Sequence, residues 1–287
     1  MPTAELNGIT INYEVHGEGK PLVLAHGYTA SQRMWDSVLP AISARYRTVI
    51  YDTRGHGKST APEDMSAYDL ARDYVGDQAA LMDHLGIDRA HVGGLSMGGM
   101  IAQEFALQHP ERVDALLLFD TGPGMGALQR DPATAERFRQ MREIMQGVAR
   151  TKGMSAIIDA MRNSPAAFRP PAGAPIPAAV RAHVEGMREM SVDGYLGGGA
   201  ALQNWRGSLE RLHTITAPTL VLVGEQDSLL GASRVMHDKI AGSRFVLIRN
   251  SGHGTALWRP EAFAQATLEF LADADAGRAV AGEVTLA

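Results

Sequence analysis

The chain of 287 residues contains no cysteine, which excludes disulfide staples, a thiolate nucleophile and any thiolate metal site. It also lacks an excess of positive charge. Its 27 Lys and Arg stand against 32 Asp and Glu, a formal net charge of −5, so the basic footprint of a nucleic-acid binder is missing. No uninterrupted apolar run approaches the ~20 residues that a membrane-spanning helix needs. The opening MPTAELNGITINYEVHG has neither the basic nor the apolar region of a secretory signal. There is no HExxH pair for zinc and no phosphate-binding glycine loop. These absences lead to the expectation of a soluble, cytoplasmic protein with no metal, no cofactor, no nucleic-acid partner and no membrane partner. Oligomeric state stays open between monomer and homodimer, since no exposed stripe specifies a dimer.

What is present is globular in character. Hydrophobic residues make up 45 % and charged residues 21 %, enough apolar material for one large α/β domain with an insertion. ITINYEV (9–15) alternates with period two, while PLVLAHG (21–27) and RTVIYD (47–52) are short apolar runs that end in turn or polar residues. A helical stretch follows, AYDLARDYVGDQAALMDHLGI, with Leu70, Tyr74, Gln78, Leu81 and Leu85 on one face. The order then repeats as strand AHVGGL, helix MGGMIAQEFALQH stopped by Pro110, and strand DALLLFD (114–120). Strands alternating with helices imply a mostly parallel sheet covered on both faces.

The rhythm breaks after Asp120. The segment 121–213 offers only helical pieces, PATAERFRQMREIMQGVAR and KGMSAIIDAMRN among them, and a proline-rich loop. Strand PTLVLVGEQD (218–227), a helix near 229–241, strand RFVLIRN (244–250) and helix PEAFAQATLEFLADA resume the pattern. The expected organisation is a sheet domain over 1–120 and 214–273, a helical insertion over 121–213, and a loosely held tail over 274–287. Methionines 125, 141, 145, 154, 161, 187 and 190, half of the chain's 14, fall in the insertion. Being flexible and polarisable, they suit either an adaptable apolar lining or the core of a small helical unit.

GLSMGG (94–99) lies at the strand-to-helix junction. Gly-x-Ser-x-Gly in that context is a nucleophile elbow. Small neighbours at Gly94 and Gly98 let the chain turn sharply, and Ser96 is held out at the carboxyl edge of the sheet. The helix that follows points free N–H groups at the same spot. A serine needs a base and a group to orient that base. His253, in the glycine-flanked turn NSGHGTALW after the last strand, is the candidate base. His84, His91, His109, His183, His213 and His237, within or beside helical segments, suit solvated or packing roles. Asp227 ends the strand LVLVGEQD and is the candidate orienter, with Asp120 and Glu225 as rivals and a plain helix cap as its bland alternative. For the oxyanion, Met97 offers its elbow N–H, and Tyr28 in HGYT offers a second from the loop after PLVLAHG. His26 steadies that loop, and Asp52 with Arg54 reads as a loop-fixing ion pair. The Tyr28 ring, Met125, Met145 and Trp205 are the candidate substrate contacts. Arg169, Arg181 and Arg188 suit either a substrate carboxylate or a solvated surface.

Together HGYTAS, YDTRGHGKS, GLSMGGMIAQEFALQHPERV, GEQD and SGHGTALWRP resemble the small serine-triad members of the α/β-hydrolase superfamily: esterases, enol-lactonases and cofactor-free haloperoxidase-type perhydrolases. The resemblance runs from about residue 8 to 273, apart from the insertion, where the family places its variable cap. It implies an eight-stranded, mostly parallel sheet with helices on both faces and a helical cap. It also implies a Ser96–Asp227–His253 triad with Tyr28 and Met97 as oxyanion donors, and hydrolysis of a small ester or lactone through an acyl-enzyme. A serine at 96 argues against dehalogenases and epoxide hydrolases, which carry aspartate there. Carbon–carbon bond hydrolysis, perhydrolysis and a triad-bearing small-molecule receptor are the alternatives on the same fold.

Overall fold

The computed structural model describes residues 2–124, 132–163 and 176–287. Nine strands form one sheet: β1 (Thr3–Leu6), β2 (Ile9–His16), β3 (Pro21–Ala25), β4 (Arg47–Tyr51), β5 (Ala90–Leu95), β6 (Val113–Phe119), β7 (Thr219–Gly224), β8 (Arg244–Ile248) and β9 (Gly282–Leu286), in the spatial order β1-β2-β4-β3-β5-β6-β7-β8-β9. The first two strands pair antiparallel, and β2 meets β4 antiparallel. Every later pairing is parallel, from β4–β3 to β8–β9. Both AHVGGL of β5 and TLVLVG of β7 are buried along their whole length, as expected of strands covered on both faces.

Helices α1 (Leu39–Ser43), α2 (Val75–His84), α3 (Met97–Gln108), α7 (Leu230–Lys239), α8 (Thr255–Trp258) and α9 (Pro260–Asp275) belong to the sheet domain. Two apolar cores result. One, containing Val23, Val92, Ile101, Phe105, Leu118 and Val221, lies on one face. The other, containing Trp35, Leu117, Phe119, Leu222, Phe263 and Phe270, lies on the opposite face. The helical face read from Leu70 to Leu85 begins as one wide π-helical turn over Leu70–Tyr74 before α2, and Leu70, Tyr74, Gln78 and Leu81 are buried.

Between β6 and β7 come α4 (Pro132–Asn163), α5 (Ala178–Gly186) and α6 (Val192–Asn204). Gly153, at φ 74 and ψ −178, breaks α4 in two, in a region of backbone space open essentially to glycine alone. Two small apolar clusters hold these helices. Met154, Ile157, Met190, Tyr195 and Leu196 make one; Ile158, Val180, Val184, Met187 and Trp258 make the other and tie α5 to the sheet domain. Met141 points outward, 59 % exposed. Met125 and Arg169 lie outside the described residues, as does most of the proline-rich loop.

Two expectations are corrected. The sheet has nine strands rather than eight, and the tail is not loose. Gly282–Leu286 pairs in register with β8 from Arg244↔Gly282 to Ile248↔Leu286. The open edge of β8 supplies unpaired backbone donors and acceptors, which a short segment with β-branched Val284 and Thr285 can satisfy without a buried face of its own. Among the described residues no helix is long and apolar enough to cross a membrane.

Candidate active site

The chain reverses its direction of travel across the sheet at β3, with β4 on one side and β5 on the other. Ligands of open α/β sheets bind at such a crevice, beyond the carboxyl ends of the strands. Ser96 sits there, between β5 and α3, at φ 56 and ψ −115, a conformation that costs a non-glycine residue about 1–3 kcal/mol. Its surroundings hold it in place. The Ser96 N–H donates to the Phe119 carbonyl at 2.9 Å, and the Thr121 hydroxyl donates to the Ser96 carbonyl at 2.7 Å. A Cβ added at Gly94 would lie 2.3 Å from the Gly98 carbonyl carbon, and one at Gly98 would lie 2.1 Å from the Ala25 oxygen. Bare glycine is therefore what lets α3 seat against the ends of β5 and β3. The side chain of Ser96 neighbours the HGYT loop, since a Cβ on Gly27 would touch its Cβ at 3.4 Å. Met97 opens α3, so its N–H has no acceptor within the helix.

Asp227 follows β7 and is buried. Its Oδ2 lies 2.9 Å from His253 Nδ1, while Oδ1 accepts the Leu229 N–H at 2.9 Å. Bracing the turn that leads into α7 and orienting the imidazole are thus carried by different oxygens of one carboxylate, and α7 itself has no side-chain cap. With Nδ1 occupied, Nε2 is the histidine nitrogen available for proton exchange. Burial disfavours the imidazolium, but the hydrogen bond and charge of Asp227, with the charge of Asp120, outweigh it and raise the His253 pKa above 6.5.

The rival carboxylates are engaged elsewhere. Asp120, fully buried at φ 44, accepts Gly224 N at 3.1 Å, Gly254 N at 3.1 Å, Thr255 N at 2.7 Å and the Thr255 hydroxyl at 2.8 Å. It therefore ties the ends of β6 and β7 to the loop that carries His253. Burial and the Asp227 charge push its pKa up to about 7. Among the described residues Glu225 accepts only the exposed Asn250 N–H, at 3.2 Å.

His26 is buried on the HGYT loop. Its Nδ1 meets the Gly27 carbonyl at 2.8 Å and its Nε2 accepts the Thr53 N–H at 3.0 Å. Burial lowers its pKa to about 4, so it braces the loop as a neutral ring. Arg54 does not pair with Asp52. Its guanidinium makes two 2.7 Å bonds to Asp77 of α2, because the Asp52 oxygens are taken by Gln32 N, Lys58 N and Asn12 Nδ2.

The cap covers this edge. Tyr28 stacks on Tyr195 of α6, ring centroids 5.5 Å apart, and its hydroxyl donates to the Tyr195 carbonyl. Met145 packs in the same cluster. Trp205 has a different place from the one expected of a substrate contact. It is buried in the main core, and its indole N–H donates to Glu104 of α3 at 2.7 Å, so it anchors the end of α6. Arg188 is spent on Asp159, Glu185 and the Ser155 carbonyl, and Arg181 binds the Ile176 carbonyl. His91 is buried in β5 rather than beside a helix.

A cleft of about 530 Å³ lies beside the HGYT loop, lined by Thr29, Gln32, His183, Met187 and Leu257 but not by Ser96. His183 of α5 was expected to be solvated or simply packed. Burial and the positive charge of His253 lower its pKa to about 4, so it is neutral. A histidine on a cap helix carries no sequence signal of which way it faces.

The architecture has close counterparts among solved structures. The enol-lactonase from Burkholderia xenovorans LB400 superposes with a TM-score of 0.79 at 27 % identity, over 94 % of this chain and 100 % of that one. A thermophilic esterase from Thermogutta terrifontis does so with a TM-score of 0.79 at 25 % identity, over 95 % of this chain and 98 % of its own. By sequence, 3-oxoadipate enol-lactonase 2 of Acinetobacter baylyi is 28 % identical over 268 residues, 91 % of this chain and 92 % of that protein. Residues 20–260 match the family of the alpha/beta hydrolase fold, and the chain belongs to it.

Proposed function

We propose that the protein is a serine hydrolase that cleaves a carboxylic ester or lactone through an acyl-enzyme. The observation that carries this reading is the Asp227–His253 pair, 2.9 Å apart, set at the same sheet edge as a serine held in the strained elbow conformation. The names of related enzymes, enol-lactonase and esterase, support the same reaction class.

In this reading the substrate carbonyl docks over Ser96. His253 Nε2 takes the hydroxyl proton as Oγ attacks, and the oxyanion gathers the backbone N–H groups of Tyr28 and Met97. The tetrahedral intermediate collapses, and the alkoxide leaves with the proton from His253. Water then attacks the acyl-enzyme, its proton passing through His253 to Ser96 Oγ as the acid departs. Asp227 holds the imidazole in the tautomer that leaves Nε2 free and stabilises the cation formed in each half-reaction. Met145 and the Tyr28 ring are the proposed walls of the acyl pocket.

The test is initial velocity on 4-nitrophenyl acetate, butyrate and octanoate and on simple lactones, with Ser96→Ala as the control. Sustained turnover that disappears in the variant is expected. Turnover that persists near the wild-type rate removes the serine from the mechanism. One slow turnover followed by lasting ligand retention would favour a receptor instead.

A further inference from the structure

Beyond β3 and His26 the chain turns through Gly27, Tyr28, Thr29 and Ala30. The Ala30 N–H donates to the Gly27 carbonyl at 3.1 Å, which closes a β-turn. Thr29 holds its third position at φ 64, while φ at Tyr28 is negative. That combination is a type II turn, whose third position normally takes glycine or asparagine, because the carbonyl before it crowds a Cβ placed there. A β-branched residue in this region of backbone space is an outlier. The chain therefore keeps a costly residue in a turn that glycine would make freely.

Thr29 is buried, and its hydroxyl oxygen lies 2.6 Å from the Tyr28 carbonyl oxygen and 3.8 Å from Sδ of Met187, at the end of α5. A hydroxyl has one proton to donate. The carbonyl, nearer and the better acceptor, takes it, and the thioether packs against the hydroxyl from the cap side. The crowded contact of the turn is thus converted into a hydrogen bond. The preceding peptide is fixed as well. His26 Nε2 accepts the Thr53 N–H, so Nδ1 carries the ring proton and donates to the Gly27 carbonyl at 2.8 Å. In a planar trans peptide the N–H points opposite to the C=O. The N–H opposite the Gly27 carbonyl is that of Tyr28, the oxyanion donor of the proposed mechanism.

We propose that Thr29 is a positioning residue for the oxyanion donor, and that the cap completes its hold through Met187. The inference rests on the hydrolase reading above and adds a residue to it. The Thr29 hydroxyl holds the Tyr28–Thr29 peptide against a flip to the type I turn, the form open to most residues at the third position. In that flip ψ at Tyr28 turns by about 150°, and the residue that carries the donor loses its fixed frame. Strain of this kind persists where the surroundings over-determine it, and here they do so from both sides, with His26 on one peptide and Thr29 under Met187 on the next.

Three variants, assayed on 4-nitrophenyl butyrate, separate a positioning residue from a merely structural one. Thr29→Val keeps the branched shape and loses the hydroxyl. Its kcat is expected to fall about 10- to 100-fold, part of the 10²- to 10³-fold that loss of a whole donor costs, with KM little changed because the donors act in the transition state. A smaller fall in kcat overturns the proposal. Thr29→Ser keeps the hydroxyl and is expected to stay near the wild-type kcat; a serine variant as impaired as the valine one also overturns it. Thr29→Gly is expected to melt higher than Thr29→Val, since glycine adopts this turn without steric cost, yet to lose kcat to the same degree. Activities that simply follow the melting temperatures would mean a structural role alone. A second reaction needs no turnover. Ethyl 4-nitrophenyl methylphosphonate phosphonylates a reactive serine with release of 4-nitrophenol, and its phosphoryl oxygen meets the same donors. The rate constant of inactivation is expected to fall by a similar factor in Thr29→Val, and it decides the matter if the wild type reacts with the phosphonate but not the ester. If the wild type reacts with neither, the hydrolase reading fails and this inference with it. If the wild type reacts and Thr29→Val matches it, the inference alone fails.

Discussion

The closest backbone approach at the elbow yields the most demanding prediction. Gly98 has ordinary helical torsions, so alanine is acceptable there on conformational grounds alone, but its Cβ would lie 2.1 Å from the Ala25 oxygen, 2.5 Å from the Ala25 carbonyl carbon and 2.7 Å from the His26 oxygen. Those atoms are backbone and cannot rotate away. Restoring ordinary contact needs roughly 1 Å of separation between the start of α3 and the end of β3 in an interior packed as densely as a crystal. In the proposed mechanism the two oxyanion donors lie on opposite sides of that gap, Met97 N–H on α3 and Tyr28 N–H on the loop after β3. Opening it pulls them apart. Losing one such donor lowers kcat by about 10²- to 10³-fold, and overpacking of this kind costs about 1–3 kcal/mol of stability. Gly98→Ala is therefore expected to lose at least two decades in kcat and in kcat/KM alike, because the donors act in the transition state. Gly147→Ala in α4, where a Cβ meets nothing within 4 Å, serves as the control and is expected to gain about 0.5–1 kcal/mol. Ester hydrolysis and a melting curve on both variants check this. A Gly98→Ala enzyme with kcat within threefold of wild type and an unchanged melting temperature refutes the argument.

Removing the carboxylate in Asp227→Asn is expected to lower kcat by about four decades, the size seen when an imidazole loses its orienting acid. The pH profile moves as well. His253 must be neutral to act as base, so kcat/KM rises with pH through its pKa, which lies above 6.5 in the wild type because Asp227 and Asp120 outweigh burial. Without Asp227 the acidic limb shifts to lower pH, and a limb that stays in place contradicts the assignment. Strain at Ser96 predicts an order of stability. At φ 56 and ψ −115 glycine relieves about 1–3 kcal/mol, less about 0.5–1 kcal/mol for the greater freedom of its unfolded chain. Calorimetry should find Ser96→Gly more stable than Ser96→Ala by about 1 kcal/mol, or ~2 °C; equal melting temperatures would mean that the elbow stores no strain.

The strands on either side of the site could be read from sequence because burial on both faces makes them continuous apolar runs, and each run ends where a polar residue is needed. PLVLA, AHVGGL and TLVLVG are such runs, and Tyr28, Ser96 and Asp227 follow within a few residues of their ends. The outer strands lack that pattern. Along β9 every side chain is exposed except Leu286, which is intermediate, so its existence depends on the waiting edge of β8 and not on its own periodicity. Side-chain partners across the fold were equally hidden. That Arg54 would find Asp77 rather than Asp52 depends on how α2 lies against the turn after β4, which no local spacing encodes. The cap was the least legible part. Met141 and Met145 are one turn apart on the same helix, yet one faces solvent and the other packs on Tyr195. The two lie on nearly the same face, so what separates them is how far along α4 the packing partners reach, which no local spacing encodes.

The pairing of the carboxyl-terminal strand also bears on wear. Sheets fray from their outermost strand, where opening exposes little and costs least. Were β8 outermost, that fraying would reach directly into the segment Asn250–Gly254 that presents His253. With β9 outside it, and Arg249 N bonded to the Leu286 carbonyl at 2.9 Å, the first amides to exchange with solvent belong to a strand that carries no chemistry. Thermal loosening at this border is absorbed one strand away from His253.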